Sequence, residues 1–101
     1  MDKYIVDEEL INKLANFYKT MSDPSRMKII YTLIKMKELC VNDLASIVKM
    51  SQTAVSYQLR ILRSERIVKH YRDGKMIMYS INDDHVDDVI NTTITHLQHE
   101  D

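Results

Sequence analysis

The segment from residue 83 to 99, DDHVDDVINTTITHLQH, holds three of the chain's four histidines and neither lysine nor arginine. Imidazole nitrogens and carboxylate oxygens are ligands that borderline divalent cations take, so their spacing is worth weighing first. On a helix, with about 100° between successive residues, His85, His96 and His99 fall within about 60° of one another. Asp83 would lie on the far side, unless it stands outside the first turn as a cap, where the helical phase does not bind it. One helix cannot offer all four to one ion. His85 and His96 are eleven residues apart, roughly 16 Å along the axis, whereas zinc–ligand bonds are about 2 Å.

The elements around this segment follow from composition and pattern. The 101 residues suit a single domain, 1–101, whose modest core would gain from association. One glycine and one proline point to long helices. No run of about 18 apolar residues exists and MDKYIVDEEL is no signal peptide, which argues against a membrane or secreted protein. The lone Cys40 cannot form an internal disulfide and suits a reducing cytoplasm. Charge is split along the chain. Arg60, Arg63, Arg66, Lys69, Arg72 and Lys75 stand against only Glu65 and Asp73 in residues 51–80, while residues 81–101 carry six acids. A localised anion-binding face is expected in the middle.

Leu10, Leu14, Phe17 and Tyr18 recur at helical spacing and predict a first helix over residues 7–20. SDPSRMKIIYTLIK predicts a second, with Ser22 or Asp23 as N-cap and Pro24 at its first position. VNDLASIVK and SQTAVSYQLRILRSE follow as two short helices, the latter capped by Ser51. IVKHYRDGKMIMYSI alternates around Asp73-Gly74 and predicts a hairpin with that pair as its loop. The acidic segment makes the last helix, with Asp83 or Asp84 at its N-cap. A mainly α winged helix-turn-helix results: five helices, with a two-stranded wing before the last.

In SQTAVSYQLRILRSE, Val55, Leu59 and Leu62 share one face. Thr53, Ser56 and Arg60 lie opposite, flanked by Gln52 and Tyr57. Hydroxyl, amide and guanidinium groups reach base edges and phosphates in a major groove. A solvated surface explains such a face taken alone. Ala45, small where two helices must approach closely, and the basic Arg72 and Lys75 flanking the wing's turn make DNA binding the better reading. The turn between the two helices offers Lys49 or Met50 where glycine often stands, at a cost of roughly 1 kcal/mol.

In this order, SDPSRMKIIYTL, ELCVNDLA, SQTAVSYQLRIL and the RDGKMIMYSI hairpin resemble the ArsR/SmtB family of metal-responsive transcriptional repressors, over about residues 10 to 99. The resemblance implies a homodimer joined by its first and last helices and bound to an inverted-repeat operator. It also implies groove-facing Gln52, Thr53, Ser56, Tyr57 and Arg60, with Val41 near the DNA backbone. A family site near ELCVCDL grips thiophilic metals with two cysteines. Here the segment is ELCVND, and Asn42 replaces the second one. A single thiolate makes a poor site for cadmium, lead or arsenic, so Cys40 reads as a small buried apolar residue.

An antiparallel pair of last helices answers the opening difficulty. It sets Asp83 and His85 of one subunit against the partner's His96 and His99, and two-fold symmetry makes two such sites. Four nitrogen and oxygen ligands in a tetrahedron suit Zn(II), then Co(II). Ni(II), which prefers six, ranks third. The arrangement is similar to that of the family's zinc and cobalt responders, which carry the sensor on the last helix. The resemblance further implies that the outer nitrogen of His96 bonds the backbone near Arg66. His70, on the wing, faces phosphate or solvent, and the other acids of the segment serve the positive helix N-terminus. An enzyme is not expected: a zinc hydrolase needs an open coordination position and a general base, and no His-Glu-x-x-His motif is present. Two further alternatives are a repressor of this family answering to another signal or to none, and a metal buffer without DNA function.

Overall fold

The structure, a computed structural model, describes residues 6–99. Its helices begin where a short polar side chain stands in for a missing helical turn. Asp7 accepts from the Leu10 N–H and opens α1 (Glu8–Met21). Asp23, rather than Ser22, accepts from the Arg26 N–H, and Pro24 takes the first position of α2 (Pro24–Met36). Strand β1 (Glu38–Cys40) then leads into α3 (Val41–Val48), whose preceding Cys40 makes no side-chain cap bond. Ser51 accepts from the Ala54 N–H ahead of α4 (Gln52–Ser64). Strands β2 (Val68–Asp73) and β3 (Met76–Ile81) form the wing, and Asp83 caps α5 (Asp84–Gln98).

The sheet has three antiparallel strands in the order β1-β3-β2, one more than the wing alone. At three residues β1 is too short to show alternation, and only its pairing of Leu39 with Tyr79 and Cys40 with Met78 reveals it. The wing's loop is also shifted by one residue. Asp73 pairs with Met76, so Gly74 and Lys75 form the two-residue turn. Gly74 takes φ 64 at the first loop position, a conformation glycine adopts without the steric cost a side chain brings.

Ile29, Ile30 and Leu33 of α2, Leu44 of α3, Val55, Leu59 and Leu62 of α4, and Ile67 and Val68 make up the fully buried centre. Ala45 is buried as well, at the α3–α4 crossing. The outer helices add little: Met21 from α1, and Val86 and Ile90 from α5. Leu10, Ile11, Leu14 and Tyr18 of α1 and Leu97 of α5 stand exposed. The radius of gyration is 15.8 Å, above the ~13 Å of a compact 100-residue domain. A chain with so much apolar surface on its terminal helices is not closed on itself.

The ends of α3 and α4 use left-handed residues other than glycine. Lys49 (φ 60) follows α3, where the Met50 N–H returns to the Ala45 carbonyl at 3.1 Å. Arg66 (φ 60) follows α4, where the Ile67 N–H reaches Leu62 O at 2.9 Å and the Arg66 N–H reaches Arg63 O at 3.0 Å. This paired return is the Schellman closure, and the buried Leu62 and Ile67 supply the apolar contact that goes with it. Lys37 (φ 76) ends α2. The sequence reading anticipated only the first of the three.

Candidate DNA-reading helix and metal ligands

Helix α4 divides cleanly. Val55, Leu59 and Leu62 are 0 to 1% exposed, while Gln52, Thr53, Ser56, Tyr57 and Arg60 are exposed and line one open depression. Tyr57 presents a large ring, 57% exposed, on this face. The five expected side chains therefore form a contiguous polar surface on one helix. Val41 is different: it begins α3, half-buried against the core. Arg72 folds its guanidinium back onto the wing turn, donating to Gly74 O at 3.3 Å, with Lys75 exposed beside it.

Contacts that no sequence pattern marks hold this helix in place. Gln52 Nε2 donates to Asn42 Oδ1 at 2.7 Å, joining the first residue of α4 to the second residue of α3. On its flank Arg26 Nε donates to Gln58 Oε1 at 2.8 Å, and Gln58 Nε2 donates to Ser25 Oγ at 3.3 Å. Ser25 in turn donates to Asp23 at 2.6 Å. That bond, followed by the Arg26 backbone N–H, holds the Asp23 carboxyl below its ordinary value. His70 does not simply face solvent. Its ring lies 2.9 Å from Arg63 Nη1 and packs at 5.4 Å against Tyr79, tying the end of α4 to the wing. On the other side of the wing the Tyr71 hydroxyl donates to Glu38 at 2.7 Å. This bond to a carboxylate is the largest of the causes that raise the phenol above its ordinary value.

The four candidate metal ligands sit in two pairs at opposite ends of α5. At the N-terminus Asp83, in extended conformation, uses Oδ1 to accept from the His85 and Val86 N–H groups. His85 Nδ1 lies 3.5 Å from the same oxygen. Desolvation pulls the Asp83 carboxyl upward, but the Asn82 amide, the Val86 N–H and neighbouring His85 outweigh it and hold the group below its ordinary value. An ionised carboxylate beside an imidazole is a donor pair that a divalent cation accepts. At the other end His96 is helical, whereas His99 is the C-cap, with φ −72 and ψ 125. With φ −72 and its N–H still on the His96 carbonyl, His99 keeps close to the helical phase in which the sequence places it. The helix ends at Gln98, and the ψ of 125 at His99 redirects only the chain that follows it. Both outer ligands, Asp83 and His99, are cap residues. Among the described residues no three His, Cys, Asp or Glu side chains come together within one chain.

Cys40 is free and buried, as read. Asp87 stands in the first turn of α5, as expected. Its Oδ1 is buried without a hydrogen-bond partner, in a cavity also lined by Lys37, Lys69 and Ser80.

A helix-turn-helix with a basic wing, and two ligand pairs on the last helix, can be set beside known proteins. The sequence pattern of bacterial regulatory proteins of the arsR family matches residues 23–70, from the cap of α2 to the start of the wing. Over 89 residues the chain is 45% identical to a transcriptional repressor SmtB homolog of Synechocystis sp., covering 88% of this chain and 67% of that protein. This chain belongs to the ArsR family. A second family relative, the cadmium resistance transcriptional regulatory protein CadC homolog of Staphylococcus aureus, is 37% identical over 82% of this chain and 69% of its own. Among solved structures, NolR from Sinorhizobium fredii superposes with a TM-score of 0.82 at 31% identity, covering 93% and 94% of the two chains. As an ArsR/SmtB-type transcriptional repressor the chain is a DNA-binding regulator and not an enzyme. No helix among the described residues is long and apolar enough to cross a membrane.

Proposed function

We propose that this protein is a cytoplasmic, homodimeric repressor that leaves an inverted-repeat operator when Zn(II), or secondarily Co(II), binds between its C-terminal helices. The observation that carries the reading is the placement of Asp83 with His85 and of His96 with His99 at opposite ends of α5. An antiparallel partner helix closes each pair with the other, giving four nitrogen and oxygen ligands at each of two sites. The apolar residues left exposed on α1 and α5 supply the surface for that pairing. A relative is named for cadmium resistance, but a single buried cysteine gives this chain no thiolate set for so soft an ion. The donors present fit zinc best, and nickel, with its preference for six ligands, least.

Gln52, Thr53, Ser56, Tyr57 and Arg60 then enter the major groove, with Val41, Arg72 and Lys75 toward the phosphates. Metal bridging fixes how the terminal helices cross, and that crossing sets the separation of the two α4 helices, which must span about one DNA turn. Zinc and operator therefore bind with opposed free energies, each weakening the other by the same factor. His96 serves twice, as ligand and, through its outer nitrogen, as the link to the backbone near Arg66. The test is fluorescence anisotropy of the protein–operator complex during zinc titration. Wild type releases DNA, whereas His96→Asn retains it even where zinc still binds. Zinc-driven release in His96→Asn equal to wild type refutes the mechanism, and a monomer at micromolar concentration, with or without zinc, refutes the shared site.

A further inference from the structure

Gln52 is the first residue of α4, and residues at the start of a recognition helix are the ones that meet base edges. Its side chain is not free to choose which edge it shows. Nε2 is 2.7 Å from Asn42 Oδ1, and both residues are exposed on the face that approaches DNA. We propose that Asn42 is a specificity-determining positioning residue, which locks the Gln52 amide so that its carbonyl oxygen and remaining N–H read adenine.

A glutamine amide has two hydrogens on nitrogen and two lone pairs on oxygen. In this proposal Asn42 takes the hydrogen that points away from Oε1. The edge left open carries Oε1 and the hydrogen beside it, an acceptor next to a donor. Adenine presents the complement in the major groove, N6 donating to Oε1 and N7 accepting from Nε2. An unrestrained amide turns over easily and exchanges its oxygen with its nitrogen. Adenine N6 then meets a donor, and discrimination falls. Asn42 needs no contact with DNA for this role, because it acts through Gln52. The bond also spans the two helices of the reading unit, α3 and α4, so the amide is set before DNA arrives and loses less freedom on binding.

The inference rests on the assignment of α4 as the DNA-reading helix, and the experiment separates the two. Wild type, Gln52→Ala, Asn42→Ala and Asn42→Asp are each used to select duplexes from a library with a randomised inverted repeat. Base-substituted versions of the preferred duplex are then compared by anisotropy. Wild type is expected to require adenine at one position in each half-site, and Gln52→Ala to lose that requirement. Asn42→Ala is expected to lower the adenine preference by about tenfold, the scale of one bidentate pair, with the salt dependence unchanged because phosphate contacts are untouched. Asn42→Asp can only accept, as Oδ1 does here. Its added charge weakens binding to all duplexes alike, and it keeps the adenine preference. Circular dichroism shows whether the variants are folded, and a folding defect alone does not move the ratio between duplexes. Wild type enriching no sequence overturns the DNA-reading assignment itself. Adenine preference surviving in Asn42→Ala, or lost in Asn42→Asp, overturns the role of Asn42 and leaves the assignment standing.

Discussion

Helix α4 buries Val55, Leu59 and Leu62 to 1% exposure or less, whereas α5 buries only Val86 and Ile90 and leaves Leu97 75% exposed. Both helices are amphipathic, capped by a short polar residue and rich in functional side chains on the outer face. The difference is where each is completed. The inner face of α4 is satisfied inside one chain, so its outer residues are held in a fixed array. The apolar remainder of α5 asks for a second chain, and so do its two half-sets of candidate ligands. A reading surface works as a rigid template, while a sensing surface must be able to change its partners.

The largest effect that tests this contrast is on stability. Leu62→Ala is expected to cost about 2 to 5 kcal/mol in chemical denaturation, the range for emptying a packed leucine site. Leu97→Ala, on a surface site, is expected to change the stability of the single chain by no more than about 0.5 kcal/mol, while weakening self-association in sedimentation. Equal losses of chain stability at both sites would erase the distinction. Next in size is Arg60→Ala, expected to weaken specific operator binding by about 1 to 3 kcal/mol, with zinc affinity unchanged in a metal titration. Unaltered operator affinity would mean that the reading face of α4 is misassigned. Lys75→Ala should weaken binding to every duplex alike and lower the salt-dependence slope by about one unit, as loss of one phosphate contact does. The smallest effect concerns Asp23, whose cap starts the helix against which α4 packs. Its folded-state pKa is lowered, so its contribution is fully present above the ordinary carboxylate value near ~3.9 and fades as pH falls through the folded value. Asp23→Asn should therefore show a shallower loss of melting temperature below that pH than wild type.

What could be read from the sequence was what repeats or caps locally. The period of Val55, Leu59 and Leu62 marked the inner face of α4, and Ser51 and Asp83 marked the starts of their helices, because these signals act within one or two turns. The features missed depend on chain segments meeting in space. Strand β1 exists through its pairing with β3, and Asn42 is ten residues from the glutamine it holds. Arg63 and His70 meet only because the wing folds back onto α4. The wing loop slipped by one residue because Asp-Gly and Gly-Lys are both good turns, and the strand register chose between them. The proposed pairing of Asp83 and His85 with a partner's histidines rests on a mismatch between helix length and bond length, which no single chain resolves.

The chain spends its one glycine on the wing and fills three left-handed positions, 37, 49 and 66, with two lysines and an arginine. Each such residue carries a conformational penalty of roughly 1 kcal/mol that glycine would avoid. Lys49 and Arg66 bracket α4 at its two ends, so the same substitutions would strip a cation from either side of the helix proposed to face DNA. A protein selected for stability alone would drift toward glycine at these sites. On that assignment, tolerance to heat and grip on a polyanion are expected to pull in opposite directions at the same two residues. Lys49→Gly and Arg66→Gly should therefore give a more heat-resistant protein that holds DNA less well as salt rises.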